Sequence, residues 1–149
     1  MTLPARLAIE RRPVPGAGFS VRVPADLSLV EEAVDLVARH CLASGLPPRR
    51  ARFNLRVALC EALANAIVYG NAADPTTAVA VDVTLGDDTL TLRVVDQGPG
   101  FDPAAISAPS LPDDLEATGG RGLFLIRQLV DHVYFNDRGN QICMVLRRA

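Results

Sequence analysis

The 149-residue sequence predicts an α+β fold, a two-layer α/β sandwich with a mixed, mostly antiparallel sheet and helices packed on one face. Three observations lead there. Short segments near both ends and in the middle alternate apolar and polar residues, as half-buried strands do. Longer segments between them repeat apolar residues at helical spacing. The order is strands, helices, strands, a long loop, a helix and strands again, not a regular βαβα alternation.

The elements follow in chain order. "RLAIERR" (6–12) and "FSVRVP" (19–24) alternate as strands around the breaker-rich "PVPGAG". "ADLSLVEEAVDLVARHCLASG" (25–45) is a helix that Asp26 or Ser28 caps, with Gly45 and Pro47-Pro48 at its end. "RRARFNLRVALCEALANAIVYG" (49–70) is a second, longer helix stopped by Gly70 and "NAADP". "TAVAVDVTLG" and "TLTLRVVDQ" form a hairpin around Gly86-Asp87-Asp88. "GLFLIRQLVDHV" (122–133) is helical, and "HVYFND" and "QICMVLRR" close the chain as a hairpin around Arg138-Gly139-Asn140. No repeat or linker divides the chain, so residues 1–149 are expected to form a single domain, with 1–18 as an N-terminal segment.

Composition narrows the chemistry. Hydrophobic residues make up 49% and charged residues 21%, a globular balance. The formal net charge of -2 invites neither nucleic acid nor an anionic membrane. All 15 basic residues are Arg, which excludes a Walker-type phosphate loop and a Schiff-base lysine. Cys41, Cys60 and Cys143 are odd in number and widely spaced, and read as buried thiols of a reducing compartment. No signal-peptide pattern opens the chain, and no stretch approaches the roughly 20 apolar residues of a membrane span. A cytoplasmic location is the expectation.

Three stretches carry chemistry. In "EALANAIVYGN" (61–71), Glu61 and Asn65 stack on one helix face. They mark the helix's solvent edge, or they pair a general base with a carboxamide oxygen for a hard cation such as Mg²⁺. In "VVDQGPGFD" (94–102), Asp96 ends an apolar strand before Gly98 and Gly100. That is an ordinary strand-to-loop turn, or a carboxylate that accepts from a buried ligand beside glycines permitting close approach. In "TGGRGLFLI" (118–126), glycines open an amphipathic helix. They form a hinge, or a phosphate seat at free N–H groups. The segment between, "GPGFDPAAISAPSLPDDLEATGGRG", is long and aperiodic, as functional loops are.

The order of the three is more specific than any one of them. Glu-x-x-x-Asn on a helix, Asp-x-Gly-x-Gly after a strand and Gly-x-Gly before a helix resemble the N, G1 and G2 boxes of the Bergerat ATP-binding fold. Within that superfamily the chain is most similar to the bacterial anti-sigma factor serine/threonine kinases. "CEALANAIVYGN", "VVDQGPGFDP" and "GGRGLFLIRQLVDHV" carry the likeness, which runs from about Phe19 to the last strand.

The resemblance implies a set of roles. Asn65 would ligate the Mg²⁺ that bridges the ATP phosphates, and Glu61 would deprotonate the acceptor hydroxyl. Asp96 would accept from the adenine amino group, with Gly98 and Gly100 as the adenine wall. Residues 102–118 would be the ATP lid, expected to be mobile without nucleotide. Gly119, Gly120 and Gly122 would turn backbone amides to the phosphates, and Arg121 would add charge. The implied partners are a sigma factor and a small antagonist phosphorylated on Ser or Thr, with a homodimer suggested by likeness alone. The family commonly has His four residues after the Asn, where this chain has Tyr69, expected to fill space and donate one hydrogen bond. Asn71 stands where Tyr is frequent.

Other features are set aside. His40 and His132 lack partners at ligand spacing and read as structural. Cys60 is expected to be a buried, inert thiol. "RRARFNLR" reads as a solvated helix start or a protein-docking face. Two competing functions stay open: an ATP-dependent anti-sigma switch without kinase activity, and a detached ATP-binding domain of a sensor histidine kinase. Glu61 favours the kinase over the first, and the absence of a phosphoacceptor-bearing dimerisation helix speaks against the second.

Overall fold

The computed structural model of the chain describes residues 10–13, 18–71, 74, 76–97, 120–137 and 139–148. Six strands form one sheet: β1 (Glu10–Pro13), β2 (Gly18–Pro24), β3 (Ala78–Leu85), β4 (Thr89–Val95), β5 (His132–Phe135) and β6 (Gln141–Arg147). Their spatial order is β1-β2-β3-β4-β6-β5. Every pairing among them is antiparallel, so the mixed alternative is not realised. The connections explain this. Hairpins join β3 to β4 and β5 to β6, where a tight turn reverses the chain, while β2–β3 and β4–β6 come antiparallel across longer, helix-bearing connections.

The register sorts the sheet into two faces. Phe19 lies opposite Val83, Val83 opposite Leu92, and Leu92 opposite Met144. This row is buried. One residue along, Ser20, Asp82, Arg93 and Cys143 form a row on the other face. There the Ser20 hydroxyl donates to Asp82 Oδ1 at 2.7 Å. Period-two alternation in the sequence thus becomes one apolar and one polar sheet face.

Helices cover the apolar face. A 3-10 turn at Leu27–Leu29 leads into α1 (Val30–Ala43), and Asp26 caps that turn by accepting from the Ser28 amide. Gly45, at φ 99°, ends α1 in the left-handed conformation that glycine tolerates. The second helix is continuous but not uniformly α. It is π-wound over Arg50–Leu55, α-wound over Arg56–Asn65 (α2) and π-wound again over Ala66–Gly70. Sequence periodicity predicts one plain helix here. The π segments are a tertiary outcome, and such wide turns often stand at functional sites. The last helix, α3, runs Gly120–Leu129. It ends sooner than its apolar spacing suggests, because His132 and Val133 pair with β6 instead.

The layers are locked at named points. Leu55, Ala58, Leu59, Leu63 and Ile67 bury one side of the long helix in the core that also holds Val21, Val81 and Leu92. Arg56 donates to Asp35 at 3.0 Å and Arg39 reaches the same carboxylate, tying α2 to α1. The Arg56 hydrogen bond, and then the Arg39 charge, hold the Asp35 carboxyl below its usual range against the desolvation of partial burial. Asn54 Nδ2 donates to Leu129 O at 2.8 Å, so the long helix caps the C-terminus of α3. Asp131 then accepts from the Arg147 amide at 2.7 Å and from Arg50 at 3.2 Å.

The cysteines depart from expectation. Cys41 is buried, and burial pushes its thiol up to about 12. Cys143 is half-buried, but Cys60 is exposed. Cys60 is flanked by core positions Leu59 and Ala62 yet falls on the helix's outer side, a distinction an apolar local sequence conceals. Of the histidines, His40 packs its ring 4.1 Å from that of Phe19, and His132 lies beside Tyr134 on the edge strand β5. Among the described residues no helix is long and apolar enough to cross a membrane.

Candidate functional site

The first two turns of the site come from α2. Glu61 and Asn65 are both half-buried there, and neither side chain has a hydrogen-bond partner among the described residues. Their neighbours Ala62, Leu63 and Ala66 are buried, which pins the backbone and leaves the two polar groups at the rim of the core. A polar pair held half out of water and left unpaired is available to a ligand.

The partner face is the start of α3. A Cβ placed on Gly122 would lie 3.0 Å from Glu61 Oε2 and 3.0 Å from Asn65 Nδ2. The carboxylate and the carboxamide therefore converge on one bare patch of backbone, 57 residues on from the asparagine (122 minus 65). Glycine at 122 keeps that space open for backbone and ligand to approach. A half-turn of the carboxamide presents Oδ1 instead of Nδ2. The oxygen donors suit a hard cation such as Mg²⁺, which takes one or two protein oxygens and completes its shell from phosphate and water. Among the described residues no cluster of three or more His, Cys, Asp or Glu offers a metal site independent of a ligand.

One wide turn beyond Asn65, the same helix meets Asp96. A Cβ on Gly70 would lie 2.3 Å from Asp96 Cγ and 2.6 Å from its Oδ2, closer than any side chain could stand. The end of β4 and the end of the long helix are thus in contact through a glycine. Asn140 holds Asp96 from the other side. Its carbonyl accepts from the Asp96 amide at 2.9 Å, and its Nδ2 donates to the Asp96 carbonyl at 3.2 Å. Asn136 Nδ2 donates in turn to Asn140 Oδ1 at 2.6 Å.

The structure accordingly gathers Glu61, Asn65 and Gly122 at one point and Gly70 and Asp96 at another, on a single helix. Gly120 and Arg121 are the first residues of α3. Gly98, Gly100, Gly119 and the lid span 102–118 lie outside the described residues. Tyr69 differs from expectation. It is 54% exposed and makes no hydrogen bond among the described residues, so it fills no space in the site. The π winding at Ala66–Gly70 turns it outward. Sequence reading passed over Asn140, which looked like a turn residue, and treated Asn71 only as a departure. Each follows a glycine, where an amide reads as a turn residue, so local sequence holds no signal for either.

Comparison with known proteins bears on this geometry. The family model described as a histidine kinase-like ATPase domain matches residues 23–146, a span that includes all three stretches on which the resemblance rests. The chain is 31% identical over 98 residues to the serine-protein kinase RsbW of Listeria monocytogenes serotype 4a (strain HCC23), covering 61% of this chain and 62% of that protein. The RsbW serine-protein kinase of Bacillus licheniformis is 34% identical over 86 residues, 54% of each chain. That of Oceanobacillus iheyensis is 28% identical over 98 residues, 62% of each. The chain spans less than two thirds of the length of each of these relatives.

Proposed function

Because the chain belongs to the family of histidine kinase-like ATPase domains, we propose that it is an ATP-dependent serine/threonine protein kinase of the anti-sigma type. In this reading it holds a sigma factor inactive and phosphorylates a small antagonist protein. The convergence of Glu61 and Asn65 on Gly122 is the observation that carries it. The likeness to the RsbW serine-protein kinases supports the choice of Ser or Thr as acceptor.

The residues divide the work. Asp96 accepts from the adenine amino group and orients the base. Gly120, Arg121 and Gly122 would bring backbone amides of the α3 start to the phosphates, where the helix dipole favours negative charge, and Gly119 is proposed to join them in sequence. Asn65 offers its carboxamide oxygen to Mg²⁺, which supplies charge neutralisation on the phosphates when bound. Glu61 takes the proton of the acceptor hydroxyl as the new O–P bond forms to the γ-phosphorus. The bridging bond to the β-phosphate breaks, and ADP leaves with the electron pair. Little covalent work falls to the protein, so positioning and charge decide the rate.

The test incubates the full chain with Mg-ATP and the candidate antagonist and reads phosphorylation by mass spectrometry. A new phosphoserine or phosphothreonine is expected. Glu61→Ala is expected to retain ATP binding and lose about 10² to 10⁴ in rate, the usual contribution of a general base. Asn65→Ala is expected to weaken Mg-dependent ATP binding itself. ATP binding by the wild type with no phosphorylation of any antagonist would leave a nucleotide-gated binding switch in place of the kinase.

A further inference from the structure

Asn71 is the one buried polar side chain among the described residues, at 6% exposure. Nothing about its position in the chain announces this, since it follows the helix-terminating Gly70. Yet every polar atom of its side chain is used. Nδ2 donates to Thr77 Oγ1 at 2.8 Å and to Ala78 O at 3.1 Å. Oδ1 accepts from the Gln97 amide at 2.8 Å. Its own backbone amide donates to Ala66 O at 2.9 Å, the bond five residues back that closes the π turn.

These bonds have a common geometry. Gly70 touches the Asp96 carboxylate. Asn71 follows Gly70, and Gln97 follows Asp96, and these two successors are hydrogen-bonded to each other. The amide bond therefore ties together the chain neighbours of a contact that has no room for adjustment. The other arm of the amide anchors the tie to the start of β3, so three elements meet on one side chain. A hub of this kind, satisfied at every atom and removed from water, holds its partners to a single arrangement. Asn140 clamps the Asp96 backbone from the opposite side but reaches neither the helix end nor Gln97.

We propose that Asn71 is a positioning residue for base recognition: its Oδ1 bond to the Gln97 amide sets the Asp96 carboxylate where it reads the exocyclic amino group of a purine nucleotide. This rests on the reading of the site as an ATP site. Asn71 touches no nucleotide. It acts through the Gly70–Asp96 contact, and its effect falls on discrimination between bases, not on the phosphates held at α3.

The experiment compares dissociation constants for ATP and for purine riboside triphosphate, which has hydrogen in place of the amino group, on the full chain by calorimetric titration. The wild type is expected to prefer ATP strongly, because a carboxylate built to accept from an amino group is left unpaired by the analogue. Asn71→Ala is expected to reduce that preference about tenfold or more, since a misplacement of about 1 Å can cost as much as 10²-fold. Analogue affinity should change little. Thr77→Val removes one acceptor of the other arm and should leave the preference as in the wild type.

Asn71→Ala that folds and retains the wild-type preference overturns the proposal. Equal weakening of both ligands does the same, since that is what loss of a purely structural residue produces. Should Asn71→Ala not fold, Asn71→Gln, which keeps the amide but displaces it by a methylene, is read in its place. Exchange of the Gln97 amide in the wild type stands beside it. Protection supports the tie, and exchange at the rate of an open turn refutes it. Failure of the wild type to bind ATP, or to distinguish it from the analogue, overturns the ATP-site reading and the inference together. Wild-type preference that survives in Asn71→Ala, or in Asn71→Gln where that is read in its place, overturns the inference alone.

Discussion

Gly70 lays its bare α-carbon against the carboxylate of Asp96, with 2.3 Å between Asp96 Cγ and the place where a Cβ would stand. The nearest atoms all belong to the Asp96 side chain and include its Cβ, so an added methyl group must displace that side chain. Gly70→Ala is therefore expected to push the carboxylate aside. ATP affinity should fall about tenfold or more, on the scale of a misplaced contact. Calorimetric titration measures the affinity, and circular dichroism confirms that the helix is intact. An alanine variant that binds ATP as tightly as the wild type would show that the contact does not set the site.

Gly122 stands in a gentler version of the same relationship. Its missing Cβ would be 3.0 Å from both Glu61 Oε2 and Asn65 Nδ2, a crowding that flexible side-chain ends relieve by moving. Gly122→Ala is expected to fold normally and even to stiffen α3, where alanine is favoured over glycine by about 1 kcal/mol. Phosphoryl transfer should nevertheless drop by about tenfold or more, because both polar groups must rotate away. Single-turnover phosphorylation measured beside thermal melting separates the two effects.

Acid should loosen the junction of α3 with the sheet. The Arg147 amide hydrogen bond, and then the Arg50 charge, hold the Asp131 carboxyl below its usual range, against the desolvation of partial burial. A lowered folded-state value means that the stabilisation is present above the ordinary aspartate range. It is lost as pH falls through the lowered value. Asp131→Asn should flatten the fall in stability on the acid side and lower stability at neutral pH. Urea titrations of both proteins across that range give the comparison, and parallel curves would count against the linkage.

Leu59 and Leu63 are fully buried on the long helix, in the core shared with β3 and β4. Leu63→Ala is expected to cost about 2–5 kcal/mol, the transfer term plus a cavity that the packed sheet cannot collapse. Chemical denaturation measures it. A loss under about 1 kcal/mol would mean that the helix repacks freely, and the rigid placement of Glu61 and Asn65 would lose its basis.

The three thiols should label in order of exposure. Cys60 lies open on the helix surface, although partial desolvation and then the Glu61 and Glu31 charges hold its thiol above the usual range. Labelling by a maleimide at mildly alkaline pH should therefore reach Cys60 first and leave Cys41 last, since Cys41 is buried and pushed up to about 12. Peptide mapping after short exposure identifies the sites. Early modification of Cys41 in the native protein would contradict its burial.

Local pattern alone determined a good deal of this protein. The alternation of "TAVAVDVTLG" and "TLTLRVVDQ" marked β3 and β4 and the turn at Gly86, because residue period follows directly from strand geometry. Helical spacing placed Glu61 and Asn65 one turn apart for the same reason. The three short stretches, in their order, pointed to the family that the match over residues 23–146 then showed. What local pattern does not contain is how distant segments meet. That Gly122 faces Glu61 and Asn65, that Gly70 faces Asp96, and that Asn71 is buried depend on the order of strands in the sheet and on how α3 docks against the long helix. The π turns at Arg50–Leu55 and Ala66–Gly70 belong to the same category. Their winding satisfies tertiary contacts that no propensity encodes, and it decides that Tyr69 points outward while Gly70 and Asn71 turn in. Cys60 shows the limit most plainly. Leu59 before it and Ala62 two residues on are core residues, and only the direction in which the packed helix faces leaves Cys60 in solvent.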